Sequence, residues 1–430
     1  MKIAVIGGAG IRTPLLVDGL TRSDLPIDEI ALFDIDRDRL AAIEALARSF
    51  SPAVRAYDDA AAAVRSSAFV FLSIRVGGIA ARARDEAAAM AHGIVGQETV
   101  GPGGFAMAMR TVPRAVEYAA LVSRIAPDAW VVNFTNPVGI VTQAITQRTA
   151  ARVVGICDTP TELFEEAAHA LGVDATRCVF DYFGLNHLGW LREVVCDGVP
   201  RLARAWDDEA LLARMYRAPL FEPSFLRTLR LLPTEYLFYY YRPQLAYENM
   251  RRGARTRGAV VAALNERLFR DLAAAGGADG RAIYERYLTE RSGSYMQLES
   301  GSPAPIAPTA AASLTGYDKI ALSVVRAIHF DTNATIPLNV PNGSALRDLA
   351  PDDVVEVPCA VTAEGARPLA VGTAPPQVRD LIVRVKEYER MTIHAAETRA
   401  LDDAVRALQR NPLVDDPTLA ASLARALQPW

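Results

Sequence analysis

The chain has 430 residues, 51% of them apolar, with 46 Lys and Arg against 50 Asp and Glu for a formal charge of −4. That length exceeds one small core and points to two lobes, while the mixed charge, without a basic run, offers nothing to displace counterions from a nucleic acid. No apolar stretch reaches the roughly 18 residues of a membrane span, and MKIAVIGGAG turns to glycine too early for a secretory signal, so the expectation is a cytoplasmic protein.

Residues 2–6, KIAVI, form an apolar run that opens into GGAGIRTPLL, after which Leu15, Leu16, Val17 and Leu20 continue as a helical pattern. Strand, glycine turn and helix in that order let the backbone at Gly7, Gly8 and Gly10 approach a pyrophosphate, whose charge is met by N–H groups at the helix N-terminus. The next strand, EIALFD, ends on Asp34, 24 residues beyond Gly10, near the spacing at which a carboxylate binds a ribose 2′-hydroxyl; an acid there favours NAD over NADP. Thr13 stands where the last glycine of the dinucleotide fingerprint would fall, and a plain βα turn without phosphate is the competing reading.

The runs AFVFLSI (68–74) and AWVVNFT (129–135) read as further strands separated by helical segments, the alternation of a parallel sheet. Their C-terminal ends carry polar tips: Arg75 opens RVGGIAARARDE, Asn133 and Asn136 lie in NFTNP, and VVGICDTPTE (153–162) ends a third strand on Cys157 and Asp158. Three such tips point to one cleft, because open α/β sheets bind ligands beyond the carboxyl ends of their strands. Asp158 can equally cap the helix that begins near Pro160.

Four cysteines, Cys157, Cys178, Cys196 and Cys359, show no CxxC pair and need no bridge in a reducing compartment. Of five histidines, His187 is set in FGLNHLGW, 30 residues past Cys157. A thiolate and an imidazole can together hold a borderline divalent cation and leave positions open for substrate oxygens, although most single Cys and His residues are packed core groups. Further on, LLPTEYLFYYYRP gathers Tyr236, Tyr239, Tyr240 and Tyr241, helical stretches run through 259–275 and 378–410, and SGSPAPIAPTAA reads as a loop beside the site or an interface.

The segments GGAGIRTPLL, IRVGGIAARARDE, GIVGQETVGPGGFAMAMRTVP, NFTNPVGIVTQA, GICDTP, FGLNHLGW, EYLFYYY, NVPNGSA, VVEVPCAV and VKEYERMTIHAA, in this order, make the chain similar to glycoside hydrolase family 4 along nearly its whole length, and within it to the 6-phospho-β-glucosidases. The resemblance implies a glycosidase that uses NAD and Mn²⁺, or another divalent cation, outside the usual two-carboxylate scheme. In that mechanism NAD⁺ oxidises the sugar C3 hydroxyl, which acidifies the C2 proton; the metal polarises the C2 and C3 oxygens while a base takes that proton. Elimination then expels the aglycone, water adds, and the hydride returns to C3.

Carried onto this sequence, the resemblance makes Cys157 and His187 metal ligands and Tyr236 the base, with Tyr239 as the fallback. Asp158 falls where some branches, notably the phospho-α-glucosidases, place the acid that protonates the leaving group, so the anomeric preference stays open. Asn136 and Glu98 match sugar-facing positions, and Arg257 matches a phosphate-binding arginine, with Arg82 and Arg84 as further candidates and Arg12 as a compensating cation in a first turn that departs from the family pattern.

The fold class implied is α/β: a Rossmann-like NAD-binding domain over residues 1–160, then a C-terminal α/β domain over 161–430, of lactate and malate dehydrogenase type, carrying substrate, metal and oligomer contacts. The expected partner is a small glycoside, 6-phosphorylated, and the expected assembly a homodimer or homotetramer, with neither nucleic acid nor membrane. The alternatives are an NAD-dependent 2-hydroxyacid dehydrogenase, a family 4 glycosidase acting on α-linked or unphosphorylated sugars, and a nucleotide-binding protein without turnover.

Overall fold

The computed structural model describes residues 1–216, 220–275, 279–293, 301, 316–414 and 416–430. The SGSPAPIAPTAA loop lies, but for Gly301, outside the described residues. Six strands, β1 (Lys2–Ile6), β2 (Glu29–Phe33), β3 (Val54–Tyr57), β4 (Ser67–Leu72), β5 (Trp130–Asn133) and β6 (Arg152–Gly155), pair in parallel in the order β3-β2-β1-β4-β5-β6. Helices α1 (Thr13–Arg22), α2 (Arg37–Arg48), α3 (Ala60–Val64), α4 (Gly78–Ala91), α5 (Gly101–Ile125), α6 (Val138–Arg148) and α7 (Thr159–Leu171) connect them or lead away from the last. β1 and β2 are buried from their second residue to their last, which is why they read as unbroken apolar runs: a parallel strand covered on both faces has no polar side to present.

The strand order reverses between β1 and β4, and a crevice opens there beyond the strand ends. β4 and β5 stop at Leu72 and Asn133, short of the apolar runs seen in the sequence, and just beyond them the Ile74 amide donates to the Thr135 hydroxyl at 3.0 Å.

The large sheet does not end at β6. β11 (Ala334–Pro341) joins it through one pair, Asn339 to Gly155, and β12 (Val354–Thr362) and β13 (Gly365–Pro368) extend it antiparallel to nine strands. A second sheet is built on the hairpin β7 (Cys178–Leu185) and β8 (Leu188–Cys196), flanked by β9 (Val199–Pro200) and β10 (Leu232–Pro233). The helices Arg257–Ala275 and Gly280–Gly293 pack Leu264, Leu268, Ile283, Tyr284 and Tyr287 against Leu46 of α2, and the Tyr284 hydroxyl donates to the Ile11 carbonyl at 2.6 Å, so this pair is laid over the glycine turn. The stretch 378–410 is two helices, Pro376–Thr398 and Leu401–Arg410, parted at Arg399, which takes a left-handed φ of 54° while the Thr398 hydroxyl donates to Asp403 at 2.7 Å.

Candidate active site

Between β1 and α1 the chain turns hard against its neighbours. Gly7 has a φ of 92°, and a Cβ there would lie 2.0 Å from the Ser73 carbonyl oxygen; a Cβ on Gly8 would come within 2.9 Å of the Leu32 Cβ. Both amides donate to the Phe33 carbonyl, at 2.9 and 2.8 Å, which ties the turn to the end of β2. Asp34, the next residue, accepts from the Ala9 amide at 3.0 Å through one oxygen and from the Asp36 amide at 3.0 Å through the other. Gly10 bonds back to the Gly7 carbonyl at 3.0 Å, and Arg12 and Thr13 begin the helix. Gly7, Gly8, Gly10 and Asp34 thus form one bare cradle with an acid at its rim, which fits a dinucleotide.

His187 lies in the two-residue turn of the β7–β8 hairpin with a φ of 61°, and is buried. The Thr99 hydroxyl, on the loop before α5, lies 3.0 Å from Gln97 Oε1 and 2.9 Å from His187 Nδ1; with its proton on Gln97 it accepts from Nδ1–H, the tautomer that leaves Nε2 as an acceptor. Burial pulls the imidazole down to about 3 against the opposing pull of Glu98, so the ring is neutral, as a metal ligand must be. Tyr236 stacks flat on that ring, 3.7 Å between centroids and 2° between planes. Tyr239 is packed in the core at 1% exposure, and Tyr241 accepts from the Trp190 indole at 3.0 Å, so of these three only Tyr236 lies against His187.

Cys157 is buried just past the end of β6. Burial raises its thiol well above the ordinary value, and the charges of Glu356 and Asp158 push the same way, so the protein's own groups favour the protonated form and a cation would supply the charge that makes it a ligand. Asp158 stands at the N-cap of α7 without making a capping hydrogen bond; its carboxylate faces Arg12 at 3.8 Å instead. Burial raises it, and the Arg12 guanidinium opposes that. Asn133 braces the neighbouring turn, accepting from the Thr135 amide at 2.9 Å, while the Oδ1 of Asn136 is buried without a hydrogen-bond partner among the described residues. Among those residues no three His, Cys, Asp and Glu side chains gather as a metal site; Cys157, His187 and the Asn136 Oδ1 are donors of the types that a divalent cation with substrate oxygens would accept.

On the other flank of His187 sits a guanidinium cluster. Glu98 pairs with Arg75 at 2.6 Å and Arg82 at 2.7 Å; burial works against its charge, but the two arginines outweigh it and hold the carboxylate at about 2. Arg82 also donates to the fully buried Glu86 at 2.7 Å, whose other oxygen accepts from the Gly258 amide at 2.6 Å, pinning the helix that starts at Arg257 onto α4. Arg257 in turn donates to the Arg291 carbonyl at 2.9 Å. Arg84 is exposed and plays no part in this cluster.

Thr99, Arg291 and Glu356 belong to this site although nothing in their local sequence marks them. Thr99 stands one residue from Glu98 in GQET, and Glu356 lies within VVEVPCAV, so only the partners they meet in space reveal them.

Both halves of the chain match one family: residues 2–173 match the family 4 glycosyl hydrolases, and residues 182–414 match the family 4 glycosyl hydrolase C-terminal domain. Over 98% of its length the chain is 32% identical to a Bacillus subtilis (strain 168) protein named "Probable 6-phospho-beta-glucosidase", 94% of which is covered. Its structure is similar, at a TM-score of 0.83 and 27% identity, to the Thermotoga maritima 6-phospho-beta glucosidase solved with manganese, NAD+ and glucose-6-phosphate, covering 99% of this chain and 97% of that one. The malate dehydrogenase of Cryptosporidium parvum shares the fold at a TM-score of 0.51 and 12% identity, over 92% of this chain and 99% of that one.

Proposed function

The chain belongs to family 4 of the glycosyl hydrolases, and on that footing we propose that it cleaves 6-phosphorylated β-glucosides with NAD and Mn²⁺. The observation that carries the division of roles is the contact of Tyr236 with His187: the candidate base lies flat on a neutral imidazole whose free nitrogen is set for a cation. When bound, NAD would supply a reversible hydride acceptor for the sugar carbon, and the cation would supply Lewis acidity toward the sugar hydroxyls.

The protein's own part begins with orientation. Gly7, Gly8, Gly10 and Asp34 hold the nucleotide, Cys157 and His187 hold the metal, and Asn136 offers its unpaired oxygen to the sugar or the cation. Tyr236, as the phenolate, takes the C2 proton and becomes the neutral phenol, and Arg82, within electrostatic range of it, is the protein cation placed to favour the phenolate before the transfer. Asp158 donates to the departing oxygen, a role suited to a carboxyl that burial favours in its protonated form. Arg257, Arg82 and Glu98 bind the sugar, with Arg257 at the phosphate end, where Arg291 adds a second guanidinium.

We assign the nucleotide to residues 1–160, which also supply Arg82, Glu98, Asn136, Cys157 and Asp158, and the remaining substrate and metal contacts and the oligomer contacts to 161–430, in a cytoplasmic homodimer or homotetramer. Val179 and Val199, exposed by 67% and 49% on the small sheet, are apolar surface that a second copy would cover. Among the described residues no helix is long and apolar enough to cross a membrane.

The deciding experiment incubates the protein with NAD⁺, Mn²⁺, reductant and a panel of aryl glycosides, α and β, phosphorylated and not, in heavy water. Deuterium at C2 of the released sugar is the expected result, fastest with the 6-phospho-β-glycoside. Hydrolysis that leaves C2 unlabelled, or that persists without nucleotide, overturns the proposal; NADH accumulating without cleavage would restore the dehydrogenase reading.

A further inference from the structure

The two candidate metal ligands come from different parts of the fold: Cys157 follows β6 of the large sheet, and His187 caps the hairpin of the small one. One buried carboxylate joins these supports. Glu356, on β12 and 1% exposed, accepts from the Tyr182 hydroxyl at 2.7 Å on Oε2, and from Asn339 Nδ2 at 2.8 Å and Asn186 Nδ2 at 3.2 Å on Oε1.

The partners divide between the two supports, Asn339 on the large sheet and Tyr182 and Asn186 on the hairpin. Asn339 is the residue of β11 paired with Gly155, two positions before Cys157, and the fit is tight enough that a Cβ on Gly155 would lie 2.9 Å from the Asn339 Cβ. Asn186 precedes His187 in the hairpin turn, and a Cβ on Gly139 of α6 would lie 3.3 Å from its Cβ. Tyr182 is the first β7 residue after the register shift at Asp181, and its hydroxyl crosses Gly189, the β8 residue paired with Gly184, where a Cβ would lie 1.8 Å from the hydroxyl oxygen. All three partners are neutral donors, so the carboxylate is not half of an ion pair with any of them. All three donors share one carboxylate, and glutamine, which brings an NH₂ in place of one oxygen and removes the charge, either sets that NH₂ against an Asn amide or turns the Tyr182 hydroxyl from donor to acceptor.

We propose that Glu356 is a positioning residue for the metal pair, fixing the His187 turn of the small sheet against the Cys157 strand of the large one. This rests on Cys157 and His187 being the ligands. Outer groups that orient metal ligands typically contribute 10–100-fold to metal affinity, and Glu356 reaches both sides through a single side chain.

The test is Mn²⁺ titration of the parent protein, Glu356→Gln, Asn186→Ala and Cys157→Ser, following the free ion by electron paramagnetic resonance. Each protein is also loaded with Co²⁺, whose sulfur-to-metal charge-transfer band reports the thiolate. Glu356→Gln should weaken Mn²⁺ binding 10–100-fold and shift or diminish the Co²⁺ band, while NAD affinity and the KM for glycoside stay near parental values and excess Mn²⁺ restores part of kcat. Asn186→Ala, which removes only the hairpin bond, should show the same defect at a few-fold. Should Glu356→Gln not fold, Asn186→Ala decides alone. Parental Mn²⁺ affinity and an unchanged Co²⁺ band in the folded variants would overturn the proposal. If Cys157→Ser binds as the parent does, it is the ligand assignment that fails; if Cys157→Ser loses the metal and Glu356→Gln does not, the positioning role alone fails.

Discussion

Glu98→Gln removes the carboxylate that Arg75 and Arg82 share at 2.6 and 2.7 Å. Its cost can be worked two ways. The arginines hold Glu98 at about 2 against an ordinary 4.5, and at 1.36 kcal/mol per pH unit that interval corresponds to roughly 3 kcal/mol in favour of the folded, ionised protein at neutral pH. Deleting one member of a buried ion pair costs about 3–5 kcal/mol by the separate argument that the remaining charge is left uncompensated, and Arg82 is only 9% exposed. The two agree at about 3 kcal/mol. With an unfolding entropy near 2.1 cal/mol/K per residue, a loss of that size lowers the Tm of a chain this long by roughly 3 °C. The folded value lies below the unfolded one, so the stabilisation is complete above pH about 4.5 and disappears as pH falls toward 2. Urea unfolding of parent and variant from pH 7 to pH 3 should therefore show a gap widest at neutrality and narrowing below pH 4.5. A variant as stable as the parent at pH 7, or a gap that does not change with pH, would refute the reasoning.

Tyr236→Phe keeps the ring on His187 but loses the hydroxyl, so hydrolysis and C2 deuterium incorporation should fall by at least 10²-fold with NAD binding intact; Tyr239→Phe should keep labelling the product, and the reverse outcome would move the base to Tyr239. Thr99→Val removes the acceptor for His187 Nδ1 and should weaken Mn²⁺ binding about 10–100-fold by the same titration, with little change in Tm. Gly7→Ala places a Cβ at 2.0 Å from the Ser73 oxygen in a left-handed backbone, and should abolish NAD binding as measured by calorimetry, or folded yield altogether. Arg257→Ala should raise the KM for a 6-phosphorylated glycoside at least tenfold with a smaller change in kcat, and leave weak activity on unphosphorylated sugars unaltered; equal losses on both would remove it from the phosphate site.

Much of the site was legible because its signals are local. A glycine turn needs residues without side chains at set places in the chain, and Asp34 must follow a strand, so Gly7, Gly8 and Asp34 stand out in any reading by period and turn. The β tips at Cys157 and Asn136 were legible for the same reason. What the local pattern left open was which of several similar residues faces the cleft. Four tyrosines within six residues have the same composition, and helical rotation alone separates Tyr236, lying on His187, from Tyr239 in the core. Arg82 and Arg84 differ by two positions on α4, which turns one into the cluster and the other to solvent.

The amino-acid order by itself determined the alternation of strands and helices and the bare glycine turn followed by Asp34, since each depends on residue type and on spacing within a few turns of chain. The meeting of His187 with Thr99, the hub at Glu356 and the extension of the first sheet by β11 to β13 were decided by the tertiary structure alone. These contacts join residues 88, 174 and 184 positions apart, and such pairings are selected by how whole elements pack, a quantity that no window of sequence contains.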